Sequence, residues 1–203
     1  MSVMPRFSFD QWVTRVINPV GFVAVVLAFL FLPCASVSVT EWPSMVLRDN
    51  SIFVLRDNSF FKAVTDDSVT GGNIAFRDGP PHQSAHRSGY GWSVELRMGT
   101  IVTVLVMAAG AGTGLVRPAE RRLRHAAQVA AVAGVFLALA VLSAAGRMED
   151  NTYGLLANEF GQRGEEEFHY AAGPETGFWV SLTGLALIFA INLFALRALR
   201  RRG

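Results

Sequence analysis

Four long stretches without a charged side chain constrain the fold of this sequence more than any other feature. They cover residues 17–40, 98–116, 126–146 and 176–196. At 1.5 Å per residue, a helix of about 20 residues crosses the roughly 30 Å hydrocarbon core of a bilayer. A core helix of a soluble protein seldom needs that length without a charge. The sequence therefore predicts an all-α integral membrane protein, a bundle of four transmembrane helices.

The charges between these stretches alternate in sign. Residues 1–16, 117–125 and 197–203 carry net charges of +1, +3 and +4, whereas residues 41–97 and 147–175 carry −1 and −5. Short cytoplasmic loops retain Arg and Lys, so both termini and the middle loop are expected inside the cell and the two longer loops outside it. The overall charge of +2 then reflects orientation in the bilayer and requires no nucleic-acid partner.

Two sets of residues are expected to hold the helices at the membrane surfaces. Tryptophan favours the interface, where its ring is buried while its N–H stays hydrated. The expected interface anchors are Trp12, Trp42, Trp92 and Trp179. The expected inner charge anchors are Arg121, Arg122, Arg124, Arg200, Arg201 and Arg202.

Small side chains indicate where the helices approach one another. Lipid tails are as apolar as leucine, so helices in a bilayer associate through close backbone contact and polar groups. The expected packing positions are Gly110, Gly114, Ala130 and Gly134, on two helices whose nine-residue loop predicts an antiparallel hairpin. Asn192 is interpreted as a local structural contact, with a hydrogen bond across helices as the alternative. None of the four stretches contains an Asp, Glu, Lys, Arg or His, which argues against a secondary transporter, a proton-coupled machine or an ion channel, with a channel assembled from many copies as the alternative.

The first stretch has two possible fates. A basic start, an apolar run and the string "PCASVS" also resemble a signal peptide cut after Ser36. Retention as a membrane helix is favoured, because the charge-free length continues to Thr40. Pro33 is interpreted as helping to terminate this helix, with a kink as the alternative. The one cysteine, Cys34, excludes an intrachain disulfide.

The outer loops are expected to form a small extracytoplasmic β-containing region. Residues 46–61 are an octet and its near copy, "VLRDNSIFVLRDNSFF". An even period keeps side chains pointing the same way in a strand, so two short strands or strand–turn units are expected, with a tandem duplication of no separate function as the alternative. The string "SVSVTEW" alternates as a strand does, and residues 167–170 suit a strand that pairs with the larger loop.

No catalytic, metal or cofactor site is predicted. His82 and His86 have the spacing of helical metal ligands, but Pro80 and Pro81 precede them and leave little helix to hold them. The acidic run at residues 165–167 is interpreted as a solvated surface. Without a confined pocket or a nucleophile, these groups form no catalytic constellation.

The layout resembles that of the tetraspan claudin-type membrane proteins, whose outer segments form a small sheet. That family carries a tryptophan-containing motif with two cysteines in its first outer segment, whereas residues 41–97 contain no cysteine. The resemblance therefore implies an architecture, and no functional residue is carried over.

The expected function is that of a non-enzymatic accessory or scaffolding subunit. Arginine outnumbers lysine 17 to 1, which is typical of a high-GC bacterial genome, so the expected location is the bacterial cytoplasmic (inner) membrane. The expected partners are the lipid bilayer and either another membrane protein or further copies of this chain, docked on the outer loops. The alternatives are a small transporter or channel component and, less favoured, a membrane-embedded enzyme that uses Glu165, Glu166, Glu167 or His169.

Overall fold

The computed structural model describes residues 9–41, 66–76, 93–115, 119–160 and 168–201. Several residues singled out in the sequence lie outside these ranges: the octet repeat at 46–61, Trp42, Trp92, His82, His86, Glu165, Glu166, Glu167 and Arg202.

Four of the described helices are long and apolar enough to cross a membrane, which confirms the prediction of a four-helix membrane bundle. They are α1 (Phe9–Phe31), α3 (Val94–Ala111), α4 (Ala119–Phe160) and α5 (Thr176–Arg200). A short helix, α2 (Gly71–Phe76), and a 3₁₀ turn (Gly112–Leu115) accompany them. The strands are β1 (Pro33–Glu41), β2 (Asp66–Thr70) and β3 (Phe168–Pro174).

The first helix ends nine residues before the predicted boundary at Thr40, because Pro33 stops it. Proline lacks an N–H, and it forces the preceding residue out of the helical region. Leu32 accordingly has φ −90° and ψ 149°, and Pro33 begins β1. Pro33 thus terminates the helix and does not kink it. An apolar helix and a strand of small residues both lack charged side chains. The charge-free stretch therefore runs past the end of the helix, and the helix boundary predicted from it lies too late in the chain.

The other helices also extend beyond their charge-free stretches. Helix α3 begins four residues early, where the Ser93 hydroxyl accepts from the Leu96 N–H at 3.2 Å and caps it. Helix α4 continues to Phe160, so the segment expected as a loop from Arg147 begins as a continuation of the third span. Helix α5 runs to Arg200, since arginines in its last turn favour the negative end of the helix dipole.

The four long helices pack as a ring, in which α1 and α4 each contact both α3 and α5. One end of this ring, the sheet end, carries the three strands. At the other, the arginine end, the start of α4 meets the end of α5 through Glu120 and Arg200.

Large side chains of α1 occupy space that glycines leave on neighbouring helices. The stripe consists of Phe22, Val25 and Phe29, all buried. The glycines that face it are Gly110 on α3, Gly184 on α5 and Gly71 on α2. A methyl group added at Gly184 or at Gly71 would lie 2.6 Å from the facing side chain, and one at Gly110 would overlap the Phe22 ring. Close packing of this kind supplies the association energy that lipid does not.

Two of the predicted packing residues, Gly110 and Gly134, face helices other than their partner in the α3–α4 hairpin. Gly110 receives Phe22 of α1, and the nearest atom to a methyl group at Gly134 is in Leu182 of α5, at 3.8 Å. Ala130 is buried within the main core, and Gly114 lies in the 3₁₀ turn.

One pair of buried amides joins α1 to α5. The Asn18 Nδ2 donates to Asn192 Oδ1 at 2.9 Å, and the Asn192 Nδ2 donates to Asn18 Oδ1 at 2.7 Å and to the Ile188 carbonyl at 2.7 Å. Both side chains are at most 1 % exposed. Asn192 therefore bonds across helices as well as locally, which corrects the favoured interpretation. Its partner follows a π-helical turn (Val13–Ile17), whose wider spacing shifts the face that Asn18 presents.

Replacing one amide of this pair is expected to destabilise the protein more than replacing both amides together. Asn192→Leu leaves a buried amide on Asn18 without its partner, which should destabilise the protein by about 1–3 kcal/mol. The double variant Asn18→Leu/Asn192→Leu should lose less than the two single variants together, because no orphaned amide remains. The measurement is a double-mutant cycle of unfolding free energies in detergent.

Gln128→Leu is the matched control, since Gln128 is exposed on α4 and should be replaced at little cost. Strictly additive losses in the cycle would show that the two amides do not act as a pair.

Candidate functional site

The sheet is joined to the helices almost without linkers. Strand β1 follows α1 after Leu32 alone, and β3 is separated from α5 by Glu175 alone. Strand β2 passes directly into α2 at Gly71. The strand order is β2-β1-β3, with β1 antiparallel to both neighbours. We call residues 32–36 and 173–177, where β1 and α5 begin side by side, the junction.

An irregularity in β1 lies at the centre of the junction. Pro33 pairs with Thr70 and Ala35 pairs with Val69, so the register shifts at Cys34. Such a bulge bends its strand and frees a backbone group from the ladder. Here the Cys34 carbonyl accepts from the Glu175 N–H at 3.0 Å. This hydrogen bond lies one position beyond the Ala35–Pro174 pair and continues the β1–β3 pairing, so it ties the first strand to the residue that precedes α5.

Glu175 holds the two halves of the junction together. One carboxylate oxygen accepts from the Ser36 hydroxyl at 2.6 Å, and the other accepts from the Thr176 N–H at 3.3 Å. The residue caps α5, and a carboxylate is favourable at the positive end of a helix dipole. The same side chain thus starts a membrane helix and anchors the central strand.

Gly177 allows α5 to lie directly on the end of α1. A methyl group there would come within 2.7 Å of the Pro33 carbonyl oxygen and 2.8 Å of the Leu32 carbonyl oxygen. These are backbone atoms, fixed by the end of α1 and the start of β1, so they cannot turn aside as a side chain does. The approach therefore requires glycine.

The Cys34 thiol is enclosed at the same place. It is fully buried, and this burial raises its pKa to about 12. Since the thiolate is the nucleophile and the metal ligand, the protonated thiol is inert at neutral pH. Its role at the junction is that of a small apolar side chain packed with Ala35 and Val69 in the main core.

The expected anchors lie at the two ends of the bundle. Trp12 near the start of α1 and Trp179 near the start of α5 are 52 % and 55 % exposed, at the arginine end and the sheet end respectively. Of the arginines expected to act as inner charge anchors, Arg121, Arg124, Arg200 and Arg201 are exposed, whereas Arg122 is half-buried. Nothing in the sequence signals that Glu120 links two of these arginines.

A lateral groove of about 330 Å³ opens between α3 and α4 toward the sheet end. Small and large side chains both line it: Ser93, Glu95, Leu96, Gly99, Phe136, Leu139, Ala140 and Ser143. No periodicity in the sequence signals this groove, because its lining residues come from two helices. Across the residues that the structure describes, no three His, Cys, Asp or Glu side chains come together as a metal site.

Substitution at Gly177 tests whether the junction is closed by backbone contact. Gly177→Ala is expected to destabilise the protein by about 1–3 kcal/mol, because the added methyl group overlaps two carbonyl oxygens. Thermal unfolding in detergent measures this loss. A second readout is Cys34, which should resist maleimide in the native protein and become reactive when the junction opens.

Gly173→Ala is the control, since a methyl group at Gly173 meets no atom within 4 Å. It should leave both the unfolding temperature and the protection of Cys34 unchanged. Equal behaviour of the two variants would contradict the assigned contact.

Comparison with protein-family models, with curated proteins and with solved structures gives no match to this chain.

Proposed function

We propose that this chain is a non-enzymatic accessory or scaffolding subunit of a membrane complex, and that its sheet is the surface that docks on the partner. The observation that carries the proposal is the junction, where Glu175 and Gly177 hold the sheet directly on α1 and α5. A surface held in place before binding loses less conformational freedom when a partner arrives.

The strand order supports the same role. In the described part of the chain, β2 and β3 form the two edges of the sheet, and the edge of a sheet offers backbone N–H and C=O groups to a further strand. Addition of a strand from a partner is an established way in which proteins recognise extended segments. The partner is another membrane protein or a second copy of this chain.

The proposed location is the bacterial cytoplasmic membrane, with both termini inside and the sheet outside. The distribution of charge supports this orientation, because five exposed arginines of α4 and α5, counting Arg201 directly after α5, lie at the end opposite the sheet, whereas one, Arg147, lies toward the sheet. Arginine and lysine are retained on the cytoplasmic side of short loops. The four apolar helices are consistent with a multi-pass arrangement.

The orientation predicts opposite labelling of two single-cysteine variants. Cys34 is buried, so a new cysteine can be read against a silent background. In intact cells a membrane-impermeant maleimide should label Glu149→Cys, an exposed position at the sheet end of α4. Arg201→Cys, exposed after α5, should be labelled only after the cells are opened. The reverse pattern would place the sheet in the cytoplasm and overturn the proposed orientation.

The docking role predicts contacts confined to the sheet end. A photoreactive amino acid at Thr176, an exposed residue of the junction, should give one discrete crosslinked product in cells. The same amino acid at Arg201 should not give that product. Gly177→Ala should weaken the Thr176 crosslink, because it disturbs the docking surface without touching the partner.

A particle that is strictly monomeric and free of partners in mild detergent, together with the absence of a Thr176 product, would count decisively against a docking subunit.

A further inference from the structure

We propose that the arginine end of the bundle binds the headgroup of an anionic phospholipid, whose acyl chains lie along α5. The residues concerned, which we call the arginine face, are Arg121, Arg124, Arg197, Arg200 and Arg201. The proposal is independent of the docking role and of the orientation, because lipid headgroups flank the bundle on either side of a bilayer.

Glu120 lies where the two arginine-bearing segments meet. Its Oε1 lies 3.0 Å from Arg200 Nη2 on α5 and 3.4 Å from Arg124 Nη2 on α4. Two guanidinium groups thus share one carboxylate oxygen. The segments are held side by side by a buried apolar cluster that includes Leu123 of α4 and Leu196 of α5, so their arginines form one surface without depending on Glu120.

This surface carries a large excess of positive charge. The arginine face has five arginines, and Glu120 lies at ion-pair distance from two of them. Within the described ranges, Arg121, Arg197 and Arg201 have no carboxylate at ion-pair distance. Guanidinium groups bind phosphate oxygens through paired hydrogen bonds, so this set matches a phosphate group.

The neighbouring surface of α5 identifies the source of that phosphate as a lipid. Phe194, Arg197 and Arg201 are separated by three and four residues and so lie on one helix face. Phe194 is 66 % exposed, and Leu187, two turns further along the same face, is 57 % exposed. Phe9 of α1 meets Phe194 edge to face, at 6.2 Å between ring centroids, and widens this apolar surface.

An apolar stripe that leads directly to Arg197 and Arg201 fits an amphipathic molecule. The acyl chains lie along Leu187 and Phe194, at the depth of the hydrocarbon core, while the phosphate reaches Arg197 and Arg201. A soluble phosphate would use the arginines and leave the stripe without a role. An anionic lipid is preferred to a zwitterionic one, because the excess positive charge attracts a net negative headgroup.

The test is thermal unfolding of the full-length protein in a neutral detergent during titration with phosphatidylglycerol. The unfolding temperature should rise in a saturable manner, since a ligand that binds the folded state stabilises it. Phosphatidylcholine at equal concentration should give a much smaller rise. Inorganic phosphate should give none, which separates a lipid from a free anion.

Three variants locate the site. Arg197→Gln/Arg201→Gln should weaken the apparent affinity about tenfold, because two of the arginines that attract the headgroup are lost. Glu120→Gln should strengthen it by about twofold to fivefold, because a repelling carboxylate is removed and two guanidinium groups are released. Arg147→Gln, at an exposed position toward the sheet end, is the control and should leave the affinity unchanged.

A rise of equal size with phosphatidylcholine, or with inorganic phosphate, would overturn the proposal. So would an unchanged affinity in the double arginine variant. If that variant does not fold, Glu120→Gln still tests the proposal. If the basic end were only a general solvated surface, Glu120→Gln would give no gain in affinity for phosphatidylglycerol over phosphatidylcholine.

Discussion

The fit of α1 against the glycines of its neighbours is the contact on which the rest of the structure depends. Phe22, Val25 and Phe29 fix how closely α1 approaches the other helices. The amide pair of Asn18 and Asn192 adds direction, because two hydrogen bonds between amides allow one depth and one rotation of α1 against α5. Apolar packing in lipid is tolerant of sliding, whereas a buried amide is not.

Once α1 is fixed, the sheet is fixed with it. Pro33 stops the helix at a defined height, so β1 starts where α5 also starts, and Glu175 and Gly177 then join the two. A helix that ended one turn later would carry β1 past these partners. The docking surface that we propose is therefore positioned by contacts inside the bundle, some of them near its opposite end.

The number and approximate place of the membrane helices follow from the sequence, since a bilayer demands long uncharged segments. Their ends do not, because the ends depend on single residues such as Ser93 and Pro33, whose effects on the backbone are local. The contacts of the junction cannot be predicted from the sequence for another reason. Ser36 and Glu175 are 139 residues apart, and only the register of a sheet brings them together.

The glycines show the same difficulty of predicting contacts between residues that are distant in the sequence. The spacing of Gly110 and Gly114 marks Gly110 as a packing residue. The spacing does not identify the helix against which it packs, and the structure shows that its partner is Phe22 of α1. Gly177 stands in the first turn of α5 with no pattern around it, and its importance is visible only beside two carbonyl oxygens of α1 and β1. Asn192 was noticed for its polarity, yet its partner lies at the opposite end of the sequence.

The length of α4 has a mechanical consequence. Ten residues of this helix follow Asp150, the last residue of its apolar part, and at 1.5 Å per residue they project roughly 15 Å farther. Helix α4 also packs against β1 and β3. A membrane that thins or thickens changes the tilt of its helices, and a tilt of about 10° would sweep the far end of such an extension sideways by roughly 3 Å. Because α4 contacts the sheet, a change in bilayer thickness is expected to change the orientation of the sheet relative to the membrane.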